Sequence, residues 1–222
     1  VTVDIALFTV VFTDSQPELK VLLVQRDLEP FAGRWALPGG FVHENEDLPA
    51  AAGRELLEET GVREAYVEQV ASVGTPGRDP RGHTVTVLYA ALLPAERHTL
   101  RPAGDARAVS WHAVQHLPKV AFDHQELIAR ALEHIRRTLG RTRACFELLP
   151  PHFTLSDLQS VCESVLGKAV DRRNFRRKLD DAGFLQPVAG ELRTGRHRPA
   201  QLYRLDRVKF EQYAAREGAL PF

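Results

Sequence analysis

Gly40-x5-Glu46-x7-Arg54-Glu55-Leu56-x-Glu58-Glu59-x-Gly61-Val62 is the stretch from which the fold is read. Residues 47–60 are rich in Ala, Leu, Glu and Arg, with Asp47 at the cap position, Pro49 in the first turn and Gly61 just past the end, so the spacing predicts a helix. In a helix, residues three and four apart share a side. Glu55, Glu58 and Glu59 are therefore expected to bring three carboxylates together, while Ala52 and Leu56 face inward and Arg54 is placed to pair with Glu58 one turn on. Carboxylates crowded in this way repel one another unless a cation neutralises them, and an all-oxygen donor set suits Mg2+ or Mn2+, ions that also bind phosphate oxygens. Just upstream, Leu37-Pro38-Gly39-Gly40 puts Pro and Gly at the central positions of a type II turn, the second of which needs a positive φ.

With seven fixed residues, each used at roughly 6%, the pattern arises by chance at roughly 10⁻⁹ per starting position. It resembles the signature of the Nudix hydrolases. That resemblance implies an α/β/α sandwich with a mixed sheet. It implies a metal site of Glu55, Glu58, Glu59 and the main-chain carbonyl of Gly39, with Arg54 orienting the carboxylates and completing the catalytic set. The reaction implied is attack of water on a diphosphate, the cation polarising a phosphoryl oxygen and lowering the pKa of the water. Many family members add an acid from outside the motif, often a Glu three residues before a Trp at the end of a late strand. Here the position before Trp111 is Ala108, which leaves Glu58, Glu59, Glu96 or Asp105 as candidate general bases.

Across 222 residues, 44% hydrophobic and 26% charged, the chain has room for one large domain or two small ones. No apolar run approaches the roughly 20 residues that span a bilayer, and the first residues lack the features of a signal peptide, so a cytoplasmic chain with no membrane partner is expected. Cys145 and Cys162 have no metal-type spacing and are expected to be reduced. The net charge of zero hides an asymmetry: residues 141–222 carry 15 Lys or Arg against 10 Asp or Glu, and residues 1–140 carry 14 against 19. An acidic first part suits metal binding, and a basic second part suits a polyanion.

β-branched and aliphatic runs at 3–12 and 20–25, parted by Asp14-Ser15-Gln16-Pro17-Glu18, read as a strand pair. Further strands are expected at 65–73, 83–93 and 107–111 and a second helix at 123–139, together an α/β sandwich. After Gly140 the signals change to short helices and one hairpin, which sets domains of 1–140 and 141–222. Thr154 opens a helix with Asp157 at its third position, and Phe153 and Leu158 have the spacing of a hydrophobic staple. Asp171 opens the next, with Phe175, Leu179 and Ala182 along one side and basic residues along the other. Residues 191–205 read as two strands joined by Thr194-Gly195-Arg196-His197-Arg198-Pro199. In that order the elements make a winged helix-turn-helix. Arg172, Arg173, Arg176, Arg177 and Lys178 would reach phosphates or guanine edges, Asn174 an adenine, and Arg196 and Arg198 the backbone or a narrow minor groove.

Arg26 and the stretch Pro30-Phe31-Ala32-Gly33-Arg34-Trp35, followed later by Gly77-Arg78-Asp79-Pro80-Arg81-Gly82, resemble the Nudix branch that handles ADP-ribose. Arg78 and Arg81 would hold phosphate or ribose, or close a salt-bridged turn with Asp79. Phe31 and Trp35 would stack on adenine, or fill the core. Val120-Ala121-Phe122-Asp123-His124, with Phe153-Thr154-Leu155 and Asn174-Phe175-Arg176-Arg177-Lys178-Leu179, resembles the NrtR family over essentially the whole chain. Members fuse a Nudix domain to a winged helix-turn-helix and repress genes of NAD metabolism, with ADP-ribose as the releasing ligand. The expected partners are operator DNA, ADP-ribose and a second copy of the chain, whose two-fold symmetry would match a palindromic site. Asp123 and His124 would belong to the ligand site, or serve as helix cap and core residue. The competing reading is a Mg2+-dependent ADP-ribose pyrophosphatase whose C-terminal domain serves dimerisation or docking.

Overall fold

The computed structural model describes residues 1–12, 16–95, 106–193 and 199–217. The chain divides into two compact units, Val1–Val11 with Glu18–His134, and Phe12–Pro17 with Ile135–Phe222. The division falls within a helix, ahead of the composition change at Gly140.

The first unit is built on a mixed sheet of β1 (Thr2–Phe12), β2 (Pro17–Arg26), β3 (Trp35–Ala36), β4 (Gly39–Phe41), β5 (Tyr66–Val73), β6 (Thr86–Leu92) and β7 (Ala106–Ala113). The order is β3-β2-β1-β6-β5, with β4 also on β1 and β7 also on β2. β1 and β6 run parallel from Thr2 opposite Thr86 to Phe8 opposite Leu92. Strands covered on both faces read as unbroken apolar runs, and Ile5, Leu7, Val87 and Leu88 are accordingly buried. Asp4 breaks the run and is nonetheless 93% buried, its residue exposure being 7%.

α1 (Leu48–Thr60) forms as expected, with the Asp47 carboxylate accepting the Leu48 N–H and Gly61 ending the helix at φ 78°. Ala51, Ala52 and Leu56 pack against Val3, Ile5, Leu22 and Tyr89; burying Leu56 alone contributes roughly 1.5–3 kcal/mol. β3 and β4 lie on either side of Leu37-Pro38. Gly39 has a positive φ of 157°, but the demand on it is close approach: a Cβ there would lie 2.2 Å from the Val3 carbonyl oxygen. α2 (His124–Thr138) buries Leu127, Ile128, Ala131 and Ile135.

The second unit contains α3 (Ala144–Glu147), α4 (Leu155–Leu166), α5 (Arg172–Ala182), β8 (Leu185–Arg193), β9 (Ala200–Leu205) and α6 (Arg207–Glu217). The Thr154–Asp157 capping box is formed in both directions at the start of α4, and Phe153 and Leu158 of the staple are both buried. Phe146, Phe184 and Phe210 meet edge to face, with centroids 5.2 to 5.9 Å apart. Two elements depart from expectation. β8 starts at Leu185 rather than 191, its ladder with β9 irregular between Pro187 and Leu192, and α6 follows the hairpin and supplies Phe210 to the core. Cys145 and Cys162 are buried free thiols, Sγ to Sγ 2.9 Å. Among the described residues no helix is long and apolar enough to cross a membrane.

Candidate functional site

The motif helix presents Glu55, Glu58 and Glu59 to a cavity of about 510 Å³. Arg54 organises them. Its Nε and Nη2 donate to Glu46 at 2.7 and 2.9 Å, its Nη1 to Glu55 at 2.8 Å and Glu58 at 3.1 Å, and its Nη2 also to the Phe41 carbonyl at 3.0 Å. The expected Arg54–Glu58 pair is present, but the closest partner is Glu46, whose fixed place in the motif is thereby explained. Hydrogen bonds from Arg54 and the His43 amide hold the Glu46 carboxyl at about 2, and Arg54 itself is raised in turn.

All three carboxylates of the expected set reach the cavity, each held by a donor of the protein. Among the described residues no group of three His, Cys, Asp or Glu side chains is arranged as a metal cage. Arg54 draws Glu55 and Glu58 toward itself, and Glu59 accepts the Gly39 N–H at 3.0 Å. The donor chemistry still fits a hard divalent cation. Burial, opposed by the Gly39 amide and reinforced by the charges of Glu55 and Asp4, pushes Glu59 up to about 7. Crowded acid of this kind is relieved by positive charge. A Cβ at Gly40 would stand 2.3 Å from a Glu55 carboxylate oxygen, so a larger residue there would displace that carboxylate.

Of the other residues expected at the site, Arg26, Arg78, Asp79, Arg81 and His124 all reach the cavity, whereas Phe31, Trp35 and Asp123 do not line it. Arg78 is engaged internally, Nε and Nη2 meeting the Asp123 carboxylate at 2.9 and 2.8 Å and Nη2 reaching Asp4 at 3.4 Å. Asp123 thus spends its carboxylate on Arg78. His124 accepts the Leu37 N–H on Nδ1 at 2.9 Å, so its proton sits on Nε2, 3.5 Å from Asp4; burial lowers its pKa and keeps it neutral. Asp79 and Arg81 close the salt-bridged turn, Arg81 donating from its amide, Nε and Nη2. Arg26 donates to the carbonyls of Pro30 and Leu28 at 2.9 and 3.3 Å and so shapes the loop behind it. Trp35 lies edge-on to His112, centroids 4.4 Å apart, and its carbonyl accepts the Ala121 N–H.

Sequence reading missed Asp4, Phe41 and Phe122 as cavity residues. A lone acid inside the apolar run of β1 was the available signal for Asp4. Ala108 pairs with Gln25 across β7 and β2 and does not reach the cavity; Glu96 and Asp105 lie outside the described residues.

In the second unit α5 is capped by Asp171, whose carboxylate accepts the Asn174 N–H, and anchored by Phe175 and Leu179, each 2% exposed. Arg172, Arg173 and Arg177 are exposed; Asn174, Arg176 and Lys178 are half-buried. Arg177 donates to the Asn174 side-chain oxygen at 2.8 Å, and the Arg176 Nε is buried without a hydrogen-bond partner among the described residues. Arg196 and Arg198 lie outside the described residues.

Comparison with known proteins agrees with both halves. Residues 5–131 match the NUDIX domain and residues 145–205 the NrtR DNA-binding winged helix domain. The chain is 39% identical over 207 residues to the ADPR responsive transcriptional repressor NtrR of Acinetobacter baylyi, covering 91% of this chain and 80% of that one. It is similar to Shewanella oneidensis NrtR in the crystal structure with a 27mer DNA, at TM-score 0.77 and 39% identity over 95% of each chain. The NUDIX domain of the same Shewanella protein, solved with ADP ribose, matches at TM-score 0.53 and 42% identity, covering 60% of this chain and 86% of that one. With an acid-lined cavity in one unit and a capped basic helix followed by a hairpin in the other, the chain belongs to the NrtR family of Nudix proteins with a C-terminal DNA-binding winged helix.

Proposed function

We propose that this protein is a transcriptional repressor that binds operator DNA through α5 and its hairpin and is released by ADP-ribose bound in the Nudix cavity. The carrying observation is the pairing, in one chain, of a cavity of about 510 Å³ lined by Glu55, Glu58, Glu59, Arg26 and Arg81 with a helix that leaves Arg172, Arg173 and Arg177 exposed. The relatives in Acinetobacter and Shewanella support the reading, one by its ADPR response and the other by its complexes with DNA and ADP ribose. Exposed arginines neutralise DNA phosphates and read guanine edges. Arg196 and Arg198 on the hairpin would add backbone or minor-groove contacts. The functional domains are taken as residues 1–140 and 141–222, the acting species as a homodimer on a palindromic site, the compartment as the cytoplasm, and the regulated genes as those of NAD metabolism.

Glu55, Glu58, Glu59 and the Gly39 carbonyl would hold Mg2+ or Mn2+, which when bound supplies positive charge to a diphosphate and acidifies water. The protein's own part is to orient. Arg54 steers Glu55 and Glu58, Arg26 and Arg81 offer guanidinium charge to the ligand's phosphates or ribose, and Arg78 with Asp123, Asp79 and His124 keeps the wall in place.

A second reading, an ADP-ribose pyrophosphatase, is favoured by the presence of all three motif glutamates at the cavity. One paired assay separates the two: retardation of the gene's upstream DNA with and without ADP-ribose, beside Mg2+-dependent release of AMP. The repressor reading predicts a shift that ADP-ribose abolishes. DNA left unshifted at moderate salt, with rapid AMP release, would establish the enzyme instead.

A further inference from the structure

Gly167, Lys168, Ala169 and Val170 join α4 to α5. Gly167, at φ 69°, ends α4 by donating its N–H to the Glu163 carbonyl. Glu163 acts a second time through its side chain, whose Oε1 accepts the Val170 N–H at 2.9 Å. The same oxygen accepts from Gln159 Nε2 at 3.0 Å, and that amide also donates to the Val170 carbonyl at 3.2 Å. Gln159 and Glu163 are four residues apart and share one side of α4. Both main-chain polar groups of Val170 are therefore held by side chains of α4, and Gln159, Glu163 and Val170 are all half-buried.

Val170 stands directly before Asp171, the cap of α5, whose carboxylate accepts the Asn174 N–H at 2.7 Å. Peptide groups are planar, so holding the groups on both sides of Val170 sets its two backbone dihedrals and with them the point and direction at which α5 begins. Packing does not supply this control. Gly167, Lys168 and Ala169 are exposed, and the buried anchors Phe175 and Leu179 seat α5 beyond its first residues. Arg172, Arg173 and Asn174, which occupy the start of the helix, follow the clamped residue immediately.

We infer that Glu163, supported by Gln159, is the positioning residue of the DNA-reading helix, holding the turn so that the first residues of α5 are aimed at base edges. The inference rests on the repressor reading, in which α5 meets the operator, and adds to it the residue that sets the aim. Base-edge contacts need a placement good to about 0.5 Å. Phosphate contacts from long arginines tolerate displacement, carry the salt dependence and hold no sequence information. Loss of the clamp therefore lowers discrimination between sequences and leaves sequence-independent binding in place.

The test measures binding of the full chain to the gene's upstream DNA and to a scrambled duplex of the same composition, over a range of salt. Glu163→Ala, which suits a helix, is expected to lower the preference for upstream DNA about tenfold, with scrambled-duplex affinity and salt slope unchanged. Glu163→Gln keeps an oxygen for the Val170 N–H and is expected to restore the preference to within about threefold of wild type. Unchanged preference in Glu163→Ala, equal loss on both duplexes, or no restoration by Glu163→Gln would each overturn the inference. Should Glu163→Ala lower the unfolding midpoint, Gln159→Ala carries the test: a smaller loss of preference supports the clamp and an unchanged one overturns it. Amide exchange reads the clamp without DNA, and Glu163→Ala should speed exchange at Val170 about tenfold or more while leaving Val161 in α4 unaltered. A wild type with no preference for upstream DNA overturns the repressor reading alone. The clamp is then judged on Val170 exchange, where equal rates in wild type and Glu163→Ala would overturn it.

Discussion

Arg78 in the cavity wall and Arg173 on α5 are the same side chain in opposite circumstances. The Arg78 side chain is 5% exposed and divides its donors between Asp123 and Asp4, whereas Arg173 stands exposed near the start of a helix that buries Phe175 and Leu179. In the first unit charges define the cavity by constraining one another. On α5, Arg172 and Arg173 stand exposed. Substitutions should therefore cost stability in the cavity wall and affinity on the helix.

The largest expected effect is on Arg78. Arg78→Met would leave Asp4 and Asp123 facing one another beside buried His124, at a cost of about 3–5 kcal/mol in denaturant unfolding. A loss below about 1 kcal/mol would erase the distinction between the two arginines.

Glu59 comes next, and its effect is a function of pH. Its carboxyl rises from the ordinary 4.5 to about 7 on folding, so the cation-free folded chain binds this proton more tightly than the unfolded chain. The stabilisation is fully present below pH about 4.5 and is lost as pH rises through about 7, up to about 3 kcal/mol from this group. Glu59→Gln should flatten that part of the stability profile, and Mn2+ should restore wild-type stability at neutral pH. A profile unaltered by the substitution would mean that the acid is not crowded.

Glu58 is half exposed, with a side-chain exposure of 55%, and removing its charge should touch the cation more than the fold. Glu58→Gln is expected to weaken Mn2+ binding about tenfold by calorimetry with the unfolding midpoint unchanged. Unchanged affinity would remove Glu58 from the ligand set. Smallest in energy is Arg173→Ala, expected to weaken DNA binding by about 1 kcal/mol and reduce the salt slope by about one, with stability altered by less than about 0.5 kcal/mol. A stability loss larger than the affinity loss would show α5 to be built like the cavity wall.

The same contrast explains what the sequence disclosed. α1 was legible because its signals are local: the Asp47 cap, the Gly61 stop and carboxylates at helical spacing. The Thr154–Asp157 capping box and the Asp171 cap were legible for the same reason. The cavity was only partly legible because it is assembled from Asp4 of β1, Arg26 at the end of β2, Phe41 of β4, the 78–81 turn, Phe122 and His124, and no spacing records that meeting. Phe31 and Trp35 carried the aromatic character that suggested stacking, yet pairing to β2 turns Trp35 onto His112. Pro187 and Gly190 disguised the first half of β8, and α6 commits a single fully buried residue, Phe210, to the core. Glu46 shows the converse case, a fixed motif position whose purpose emerged only when Arg54 was found to bind it at 2.7 Å.

Release of DNA by ADP-ribose requires that the cavity and α5 be thermodynamically linked. The direct measurement is the affinity of the full chain for ADP-ribose, with Mg2+, in the absence and in the presence of saturating upstream DNA. The two sites oppose one another in this account, so DNA should weaken ADP-ribose binding about 5- to 150-fold, and ADP-ribose should weaken DNA binding by the same factor. Equal ADP-ribose affinities with and without bound DNA would contradict it.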